Sequence, residues 1–170
     1  MKWVGIVAGG LVALAALMAL IGSMLPIKHH STRKARVRAT PEKVYAILAG
    51  PPDWRSDVKA SGPLPDQAGR KTWWEQDSHG RRIVYQLVED SPPTKRVVRI
   101  AGQGLPFGGT WTFEIAPTPD GSELRIREDG EIYNVIFRFL SRFVFGYYGS
   151  IEGFLNGLGA KLGEPVRIEG

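Results

Sequence analysis

The stretch "RKARVRATPEKVYAIL", residues 33–48, contains the change from a strand to a helix that decides the fold. Every second residue from Ala35 to Ala39 is apolar and the residues between them are basic, which is the period-two pattern of a half-buried strand. Thr40 is a favourable N-cap, and Pro41 suits the first position of a helix. The sequence therefore predicts a strand that runs directly into a helix, and the Gly-Pro-Pro run at 50–52 predicts where that helix ends.

Upstream of this strand, the segment from Trp3 to Ile27 carries no charged residue. About 20 apolar residues are enough to span a bilayer as a helix, so residues 1–27 are predicted to form a transmembrane anchor. A cleaved signal peptide is the alternative, and its apolar region should be shorter, about 7–15 residues, with a small-x-small cleavage site beyond it. The best such site, at residues 13–15, lies inside the apolar run, which favours a retained single-span anchor.

The net charge of +5 is concentrated at the start of the chain. Residues 1–38 carry +6 and the remainder carries −1, so the body of the protein lacks the basic face that nucleic-acid binding requires. Residues 28–31 are predicted to form a basic juxtamembrane flank, attracted to anionic headgroups. More basic residues follow the apolar segment than precede it, so the positive-inside rule predicts a cytoplasmic domain, with a periplasmic or extracellular domain as the alternative.

Five segments downstream are rich in β-branched and aromatic residues and are separated by turn signals. The predicted strands are 70–76, 81–89, 95–101, 109–117 and 122–129. Their apolar residues share one face and their polar residues the other, which is typical of an antiparallel sheet covered on one side. Ahead of them, "PPDWRSDVKA" (51–60) is predicted to form a second short helix that anchors Trp54 in the core.

A long amphipathic helix is predicted at the end of the chain. From Ile136 to Leu162 the apolar residues recur at intervals of three and four, so they share one helical face. We expect this helix to cover the sheet. Arg138 and Arg142 within it also fit an amphipathic segment at a membrane surface, which leaves two interpretations of its first half.

This order of elements resembles the START-like helix-grip fold of the SRPBCC superfamily, which includes polyketide cyclase/dehydrase-like proteins. The resemblance is carried by "VRATPEKVYAIL" (37–48), "GGTWTFEIAPTPDGSELRIREDGEI" (108–132) and "RFVFGYYGSIEGFLNGLGAKL" (142–162). It implies an α+β domain over residues 32–165, in which an antiparallel sheet wraps around the C-terminal helix. It also implies an apolar cavity between that sheet and that helix.

The cavity implied by the resemblance should be lined by apolar side chains of the sheet and the last helix. The expected ligand-binding residues are Trp74, Tyr85, Leu87, Trp111, Phe113, Phe143, Tyr147, Ile151 and Phe154. Trp74 is preferred to Trp73 because Trp73 shares its face of the strand with Lys71 and Glu75. The same aromatic residues would also suit an ordinary filled core, and in this fold the two interpretations overlap.

No motif in the sequence points to a definite catalytic centre. The chain has no cysteine, which excludes thiolate chemistry, and His29, His30 and His79 do not form a plausible metal site. We therefore predict no metal, no cofactor and no catalytic residue. The glycine-rich stretch 102–109 lies between two strands, so it is predicted to be a hairpin rim and not a phosphate-binding loop.

The predicted function is membrane-anchored binding of a hydrophobic small molecule, such as a lipid, an isoprenoid or a quinone-like compound. A cyclase- or hydrolase-like enzyme is the first alternative, and it would use a cavity acid such as Glu114 or Glu128. Otherwise the acids of residues 128–131 are expected to face solvent. A carrier predicts a cavity lined by apolar groups, whereas an enzyme predicts an acid of raised pKa pointing into it.

A protein-interaction module without a ligand is the second alternative. Gly149, Gly153 and Gly157 repeat every four residues and are expected to lie away from the apolar face of the last helix. Small residues on an outer face would admit the backbone of a partner in a homo- or hetero-oligomer, or would soften the helix so that it bends. This alternative predicts a filled core with no cavity.

Overall fold

The computed structural model describes residues 2–170, in which a single antiparallel sheet carries all the strands. The helices are α1 (Lys2–Met24), α2 (Pro41–Ala49), α3 (Val135–Leu140) and α4 (Gly149–Leu162). A π-helical turn, Ser141–Phe145, continues α3. The strands are β1 (Lys28–Val37), β2 (Val58–Gln67), β3 (Arg70–Asp77), β4 (Arg82–Ser91), β5 (Lys95–Ile100), β6 (Phe107–Thr118), β7 (Gly121–Ile132) and β8 (Arg167–Glu169). Their order in the sheet is β2-β3-β4-β5-β6-β7-β1-β8.

The α+β helix-grip architecture predicted from the sequence is confirmed. Helices α2 and α4 pack on the same side of the sheet, and the buried core lies between them and strands β1, β6 and β7. It consists of Ala35, Val37, Val44, Phe113, Ile115, Leu124, Ile126, Ile151, Leu155 and Leu158. One end of the domain therefore has a filled apolar core, and the space beside that core remains open for the cavity described below.

The predicted change from strand to helix at residues 33–48 is present in the structure. The side chains of Ala35 and Val37 are buried, and Thr40 caps α2 by accepting a hydrogen bond from the backbone N–H of Lys43 at 3.4 Å. Strand β1 begins earlier than expected, at Lys28, so residues 28–31 are part of this strand. These residues pair with the end of β7, so the basic segment after α1 is already held in the sheet.

The helix predicted at residues 51–60 is absent from the structure. Residues 52–57 form turns, and β2 follows from Val58 to Gln67. This strand lies at the edge of the sheet, where proline is tolerated because no further strand needs its missing N–H. The glycine and two prolines of β2 concealed its strand character in the sequence.

The last helix is interrupted, although a continuous helix was predicted from Ile136 to Leu162. The π-helical turn ends at Phe145, and Gly146 follows with a φ of +74°, a conformation that L-residues with side chains rarely adopt. Helix α4 then starts at Gly149. The break turns α3 and the π-helical turn into a separate segment at one end of α4.

Helix α1 is long and apolar enough to cross a bilayer. Its segment Trp3–Met24 has a mean hydropathy of 2.6, and residues 3–17 are all exposed. A signal sequence has the same properties, so this observation agrees with both interpretations of the first segment. The last turn of α1 packs against the start of α3, where Gly22 lies close to the backbone of Val135.

Candidate functional site

A cavity of about 1100 Å³ lies between the concave face of the sheet, α4 and the residues around α2. Its wall is formed on one side by aromatic residues of the sheet and on the other by the first two turns of α4 and the segment before it. Five of the predicted ligand-binding residues line it: Tyr85, Trp111, Phe113, Tyr147 and Phe154. A space of this size is within the range of pockets that bind small organic molecules.

Phe154 is the centre of an aromatic cluster in the wall. Its ring centroid lies 5.1 Å from that of Trp54, 5.4 Å from that of Phe113 and 5.8 Å from that of Trp111. Edge-on and tilted rings at these separations attract each other beyond their burial of apolar area. Trp54 thus packs with the core as predicted, although it comes from a turn and not from a helix.

Four of the predicted residues lie elsewhere. Ile151 is fully buried in the core, Leu87 lies beside a register shift between β4 and β5, and Phe143 is 59% exposed on the π-helical turn. Trp74 lies on the opposite face of β3, where the guanidinium of Arg82 stacks on its ring at 4.3 Å. The structure therefore corrects the predicted orientation of β3, because Trp73 lines the cavity in place of Trp74.

The orientation of β3 follows from a buried ion pair that compensates the charge of Glu75. This carboxylate is 8% exposed, lies 2.8 Å from Nη1 of Arg55 and accepts a hydrogen bond from Nε1 of Trp73 at 3.0 Å. Arg55 also pairs with Asp57 at 2.5 Å. A charge can face the interior when it is paired and hydrogen-bonded in this way. The cavity therefore has a polar end at β3.

Tyr85 belongs to the same polar end. Its ring stacks on that of Trp73 at 5.7 Å, and burial, followed by the nearby charge of Glu75, raises the pKa of its hydroxyl. The buried guanidinium of Arg96 lines the cavity next to these rings and is paired with Asp90 at 3.2 Å. Two arginines and a protonated phenol thus provide hydrogen-bond donors at this end of the cavity.

Glu128, on β7, forms a second polar site on the cavity wall. Its Oε2 accepts hydrogen bonds from the hydroxyls of Ser150, at 3.1 Å, and Ser31, at 3.4 Å. Burial raises the pKa of the Glu128 carboxyl, and this effect exceeds the opposite effect of the hydrogen bonds that it accepts. The expectation that this acid faces solvent is thus wrong, and a carboxyl that retains its proton to a higher pH lies in the cavity.

His29 lines the cavity in the vicinity of Glu128. Its ring stacks on that of Tyr147 with centroids 4.3 Å apart, and its Nδ1 is buried without a hydrogen-bond partner among the described residues. Burial, followed by repulsion from His30, lowers the pKa of His29, so the ring is neutral at pH 7. The strand alternation of β1, extended back from Ala35, would have identified His29 and Ser31 as inward-facing.

Glu114, the other acid considered from the sequence, lies outside the cavity. It is exposed on β6 and is 3.9 Å from the guanidinium of Arg125 on the neighbouring strand. The predicted hairpin rim at 102–109 is at the edge of the cavity, which Phe107 and Gly108 line. Of the two acids named as candidate catalysts, Glu128 is on the wall and Glu114 is not; Glu131 of the same strand also lines the cavity.

The glycine face of α4 points inward, which corrects its predicted orientation. Gly149 and Gly153 line the cavity, and Gly157 faces the ring of Trp54, where an added Cβ would lie 3.4 Å from the nearest ring carbon. A Cβ built at Gly149 or Gly153 meets no atom within 4 Å. The missing side chains therefore leave open the space between α4 and the sheet.

Comparison with known proteins agrees with this architecture. A family model described as "Polyketide cyclase / dehydrase and lipid transport" matches residues 28–163. No curated protein matches the chain. Among solved structures, a protein from Mesorhizobium loti has 17% sequence identity and a TM-score of 0.60, over 79% of this chain and 97% of its own.

Two further solved structures carry functional names. The di-domain ARO/CYC StfQ from the steffimycin biosynthetic pathway has 16% identity and a TM-score of 0.59, over 79% of this chain and 50% of its own. Norcoclaurine synthase from Thalictrum flavum has 10% identity and a TM-score of 0.60, over 85% of this chain and 92% of its own. At these identities the likeness establishes the fold alone. Because the family model matches well over half of the chain, the protein belongs to the polyketide cyclase/dehydrase and lipid transport family.

Proposed function

We propose that this protein binds a hydrophobic small molecule, such as a lipid, an isoprenoid or a quinone-like compound, in the cavity between its sheet and α4. The observation that carries this proposal is the cavity of about 1100 Å³ with a wall of aromatic side chains. The description of its family, which includes lipid transport, supports the proposal. An apolar ligand gains roughly 25 cal/mol for each Å² of apolar surface removed from water, so such a wall favours its binding.

The distribution of polar groups defines the ligand further. Glu75 on β3 and Glu128 on β7 are separated by four strand spacings of about 4.8 Å, so the component of their separation perpendicular to the strands is at most about 19 Å. Trp111 and Phe113 on β6 lie between them. We therefore infer a ligand with an apolar body and at least one polar group, which would accept hydrogen bonds from the arginine-containing end or donate one to Glu128.

We further propose that α1 anchors the domain to a membrane by a single span, with the domain on the cytoplasmic side. The tether would keep the cavity close to the phase in which an apolar ligand dissolves. Fusions of alkaline phosphatase and of green fluorescent protein after residue 170 test the orientation. We expect the green fluorescent protein fusion to be fluorescent and the alkaline phosphatase fusion to be inactive. The reverse pattern would place the domain on the other side of the membrane.

Extraction of the purified full-length chain tests ligand binding. The protein is purified in detergent, extracted with organic solvent, and the extract is analysed by mass spectrometry. Gly153→Phe fills the cavity from α4 without an initial clash, because a Cβ at this position meets no atom within 4 Å. Asn156→Phe places the same ring on the exposed side of α4 and is the matched control.

The expected result is an apolar compound at near one per chain in the wild type and in Asn156→Phe, and its loss in Gly153→Phe. Phenylalanine forms helices better than glycine by several tenths of a kcal/mol, so Gly153→Phe should remain folded, which its circular dichroism spectrum would verify. The same amount of compound in all three proteins, or none in any of them, would contradict binding in the cavity.

A cyclase- or hydrolase-like enzyme is the second candidate function, and the observation that favours it is the position of Glu128 on the cavity wall, where burial raises the pKa of its carboxyl. A carboxyl that keeps its proton to a higher pH than usual can act as a general acid towards a ligand on the cavity wall. Glu128→Gln retains the shape of this side chain but cannot transfer a proton. If Glu128 is catalytic, the variant should accumulate a substrate that differs from the compound extracted from the wild type in mass, for hydrolysis or loss of water, or in chromatographic retention, for a cyclisation that conserves mass. The same compound in both proteins would support binding without turnover.

A further inference from the structure

Large apolar side chains are exposed on the segment between β7 and α4. The exposed fraction is between 41% and 65% for each of five side chains, which are Phe137, Phe143, Val144, Phe145 and Tyr148. Among the described residues, the other exposed large apolar side chains are in α1, at Ile27 and at the beginning of this same segment. Val88 is the one exception. A contiguous apolar surface of this kind marks a site of contact with a partner or a membrane. We call residues 136–148 the apolar lip.

The apolar lip is attached to the C-terminal end of α1. Gly22 packs so closely on the backbone of Val135 that a side chain at this position would collide with it. The buried side chain of Arg138 donates a hydrogen bond from Nη1 to the backbone oxygen of Leu25 at 2.8 Å. These contacts hold the lip within about one helix diameter, roughly 10–12 Å, of the point where α1 ends.

The position of the lip identifies the bilayer surface as its partner. If α1 spans the bilayer, its last turn reaches the boundary between acyl chains and headgroups, and the lip lies beside it at the same depth. The exposed apolar surface of α1 continues into the lip. The lip contains the exposed cation Arg142, and the exposed cation Lys28 follows α1 in the chain, so both are placed to fit anionic headgroups. A segment with aromatic side chains and neighbouring cations is suited to this interface.

The lip also forms part of the cavity wall. Phe137, Phe145 and Tyr147 line the cavity, as do Ser141 and Gly146. We propose that the apolar lip inserts into the bilayer surface beside α1, so that the mouth of the cavity opens onto lipid and not onto water. This inference rests on the proposed membrane anchoring by α1. It adds a second contact with the membrane and a route by which an apolar ligand reaches the cavity without crossing water.

Fluorescence quenching of the full-length chain in lipid vesicles tests this inference. The protein has no cysteine, so single cysteines can be labelled specifically with an environment-sensitive fluorophore. The labelled positions are Val144→Cys in the lip, Leu14→Cys in α1, and Asp120→Cys at the far end of β7, which is roughly 36 Å from the lip end of that strand. The vesicles contain phosphatidylcholine, phosphatidylglycerol and a lipid with a nitroxide quencher either high or low on its acyl chain.

We expect the shallow quencher to remove most of the fluorescence at Val144 and none at Asp120, and the deep quencher to act at Leu14. Quenching at Leu14 without quenching at Val144 would overturn insertion of the lip while leaving the anchor intact. Absence of quenching at Leu14 would refute the anchor and the insertion together. Extraction of ligand from the chain is measured separately, so failure of the binding proposal is distinguishable from both results.

A charge in the lip tests whether its own side chains cause the insertion. Phe143→Asp is introduced beside the label at Val144, because Phe143 is exposed and does not line the cavity. Val88→Asp is the control, since Val88 is an exposed apolar residue of β4 outside the lip. We expect Phe143→Asp to abolish the shallow quenching and Val88→Asp to leave it unchanged. Unchanged quenching with Phe143→Asp would show that α1 alone holds this segment at the membrane, and would overturn insertion by the lip.

Discussion

Replacing Arg55 with methionine should destabilise the domain far more than removing an exposed arginine. The guanidinium of Arg55 is 2.8 Å from the carboxylate of Glu75, and the two side chains are 17% and 8% exposed. At an effective dielectric constant of about 20, unit charges at this distance attract each other by about 6 kcal/mol, which largely offsets the cost of their desolvation. Without Arg55, Glu75 keeps a hydrogen bond from Trp73 but has lost its counter-charge. We expect the free energy of unfolding to fall by about 3 kcal/mol.

Thermal unfolding of the full-length chain in detergent, followed by near-ultraviolet circular dichroism, measures this effect. A loss of about 3 kcal/mol corresponds to a midpoint roughly 10 °C lower for a domain of this size. The control is Arg81→Met, because Arg81 is 42% exposed and 3.8 Å from Asp77, so its loss should cost less than about 1 kcal/mol. The double variant Arg55→Met/Glu75→Leu should recover at least about 1 kcal/mol of the loss. Equal midpoints for the two single variants, or no recovery in the double variant, would refute the reasoning.

Two further substitutions test the core and the cavity acid. Leu158 is fully buried, so Leu158→Ala should lower the free energy of unfolding by about 3 kcal/mol. Asn156→Ala, at an exposed position of the same helix, should change it by less than about 0.5 kcal/mol. Urea denaturation measures both variants, and equal effects would contradict the assignment of the core. Burial raises the pKa of Glu128, so the folded state binds the proton of this carboxyl more tightly than the unfolded state does. The protonated carboxyl therefore contributes to stability in full below its unfolded pKa, and the contribution is lost as the pH rises through its folded pKa. The melting temperature of Glu128→Gln should therefore rise relative to that of the wild type as the pH increases from about 4 to 8. A constant difference between the two melting temperatures would argue against a raised pKa.

The fold was predictable because its elements obey local periodicities. The alternation around Ala35 and Val37 gave β1 its buried face, and Thr40 with Pro41 marked the start of α2. The strands β3 to β7 were found within a few residues of their limits, since β-branched and aromatic residues fill them and turn signals separate them. Strand β2 was missed, because an edge strand needs neither alternation nor a complete set of N–H donors.

The cavity wall was less predictable because its polar residues are paired with residues distant in sequence. Glu75 next to Trp73 indicated a solvent-facing strand face, and only the contact with Arg55, from the turn after α2, shows why this face can be buried. The same holds for Glu128, whose hydroxyl partners come from β1 and α4. Periodicity reports the average polarity of a face, and a few compensated charges on an inner face reverse that average.

The glycines of α4 also lie on an inner face that periodicity assigned to the outside, but here the cause is missing side chains and not compensated charges. A helix face without side chains looks like an outer face in the sequence, because it contributes nothing to the apolar stripe. In a domain with a cavity, however, the inner face of the covering helix must lack side chains where the ligand is to lie. Gly153 inside α4 weakens the helix by about 1 kcal/mol relative to alanine, and Gly149, as its first residue, by less, although a Cβ would fit at either position. Helix stability and packing therefore do not account for glycine at these positions, and the open space beside them is the physical explanation that remains.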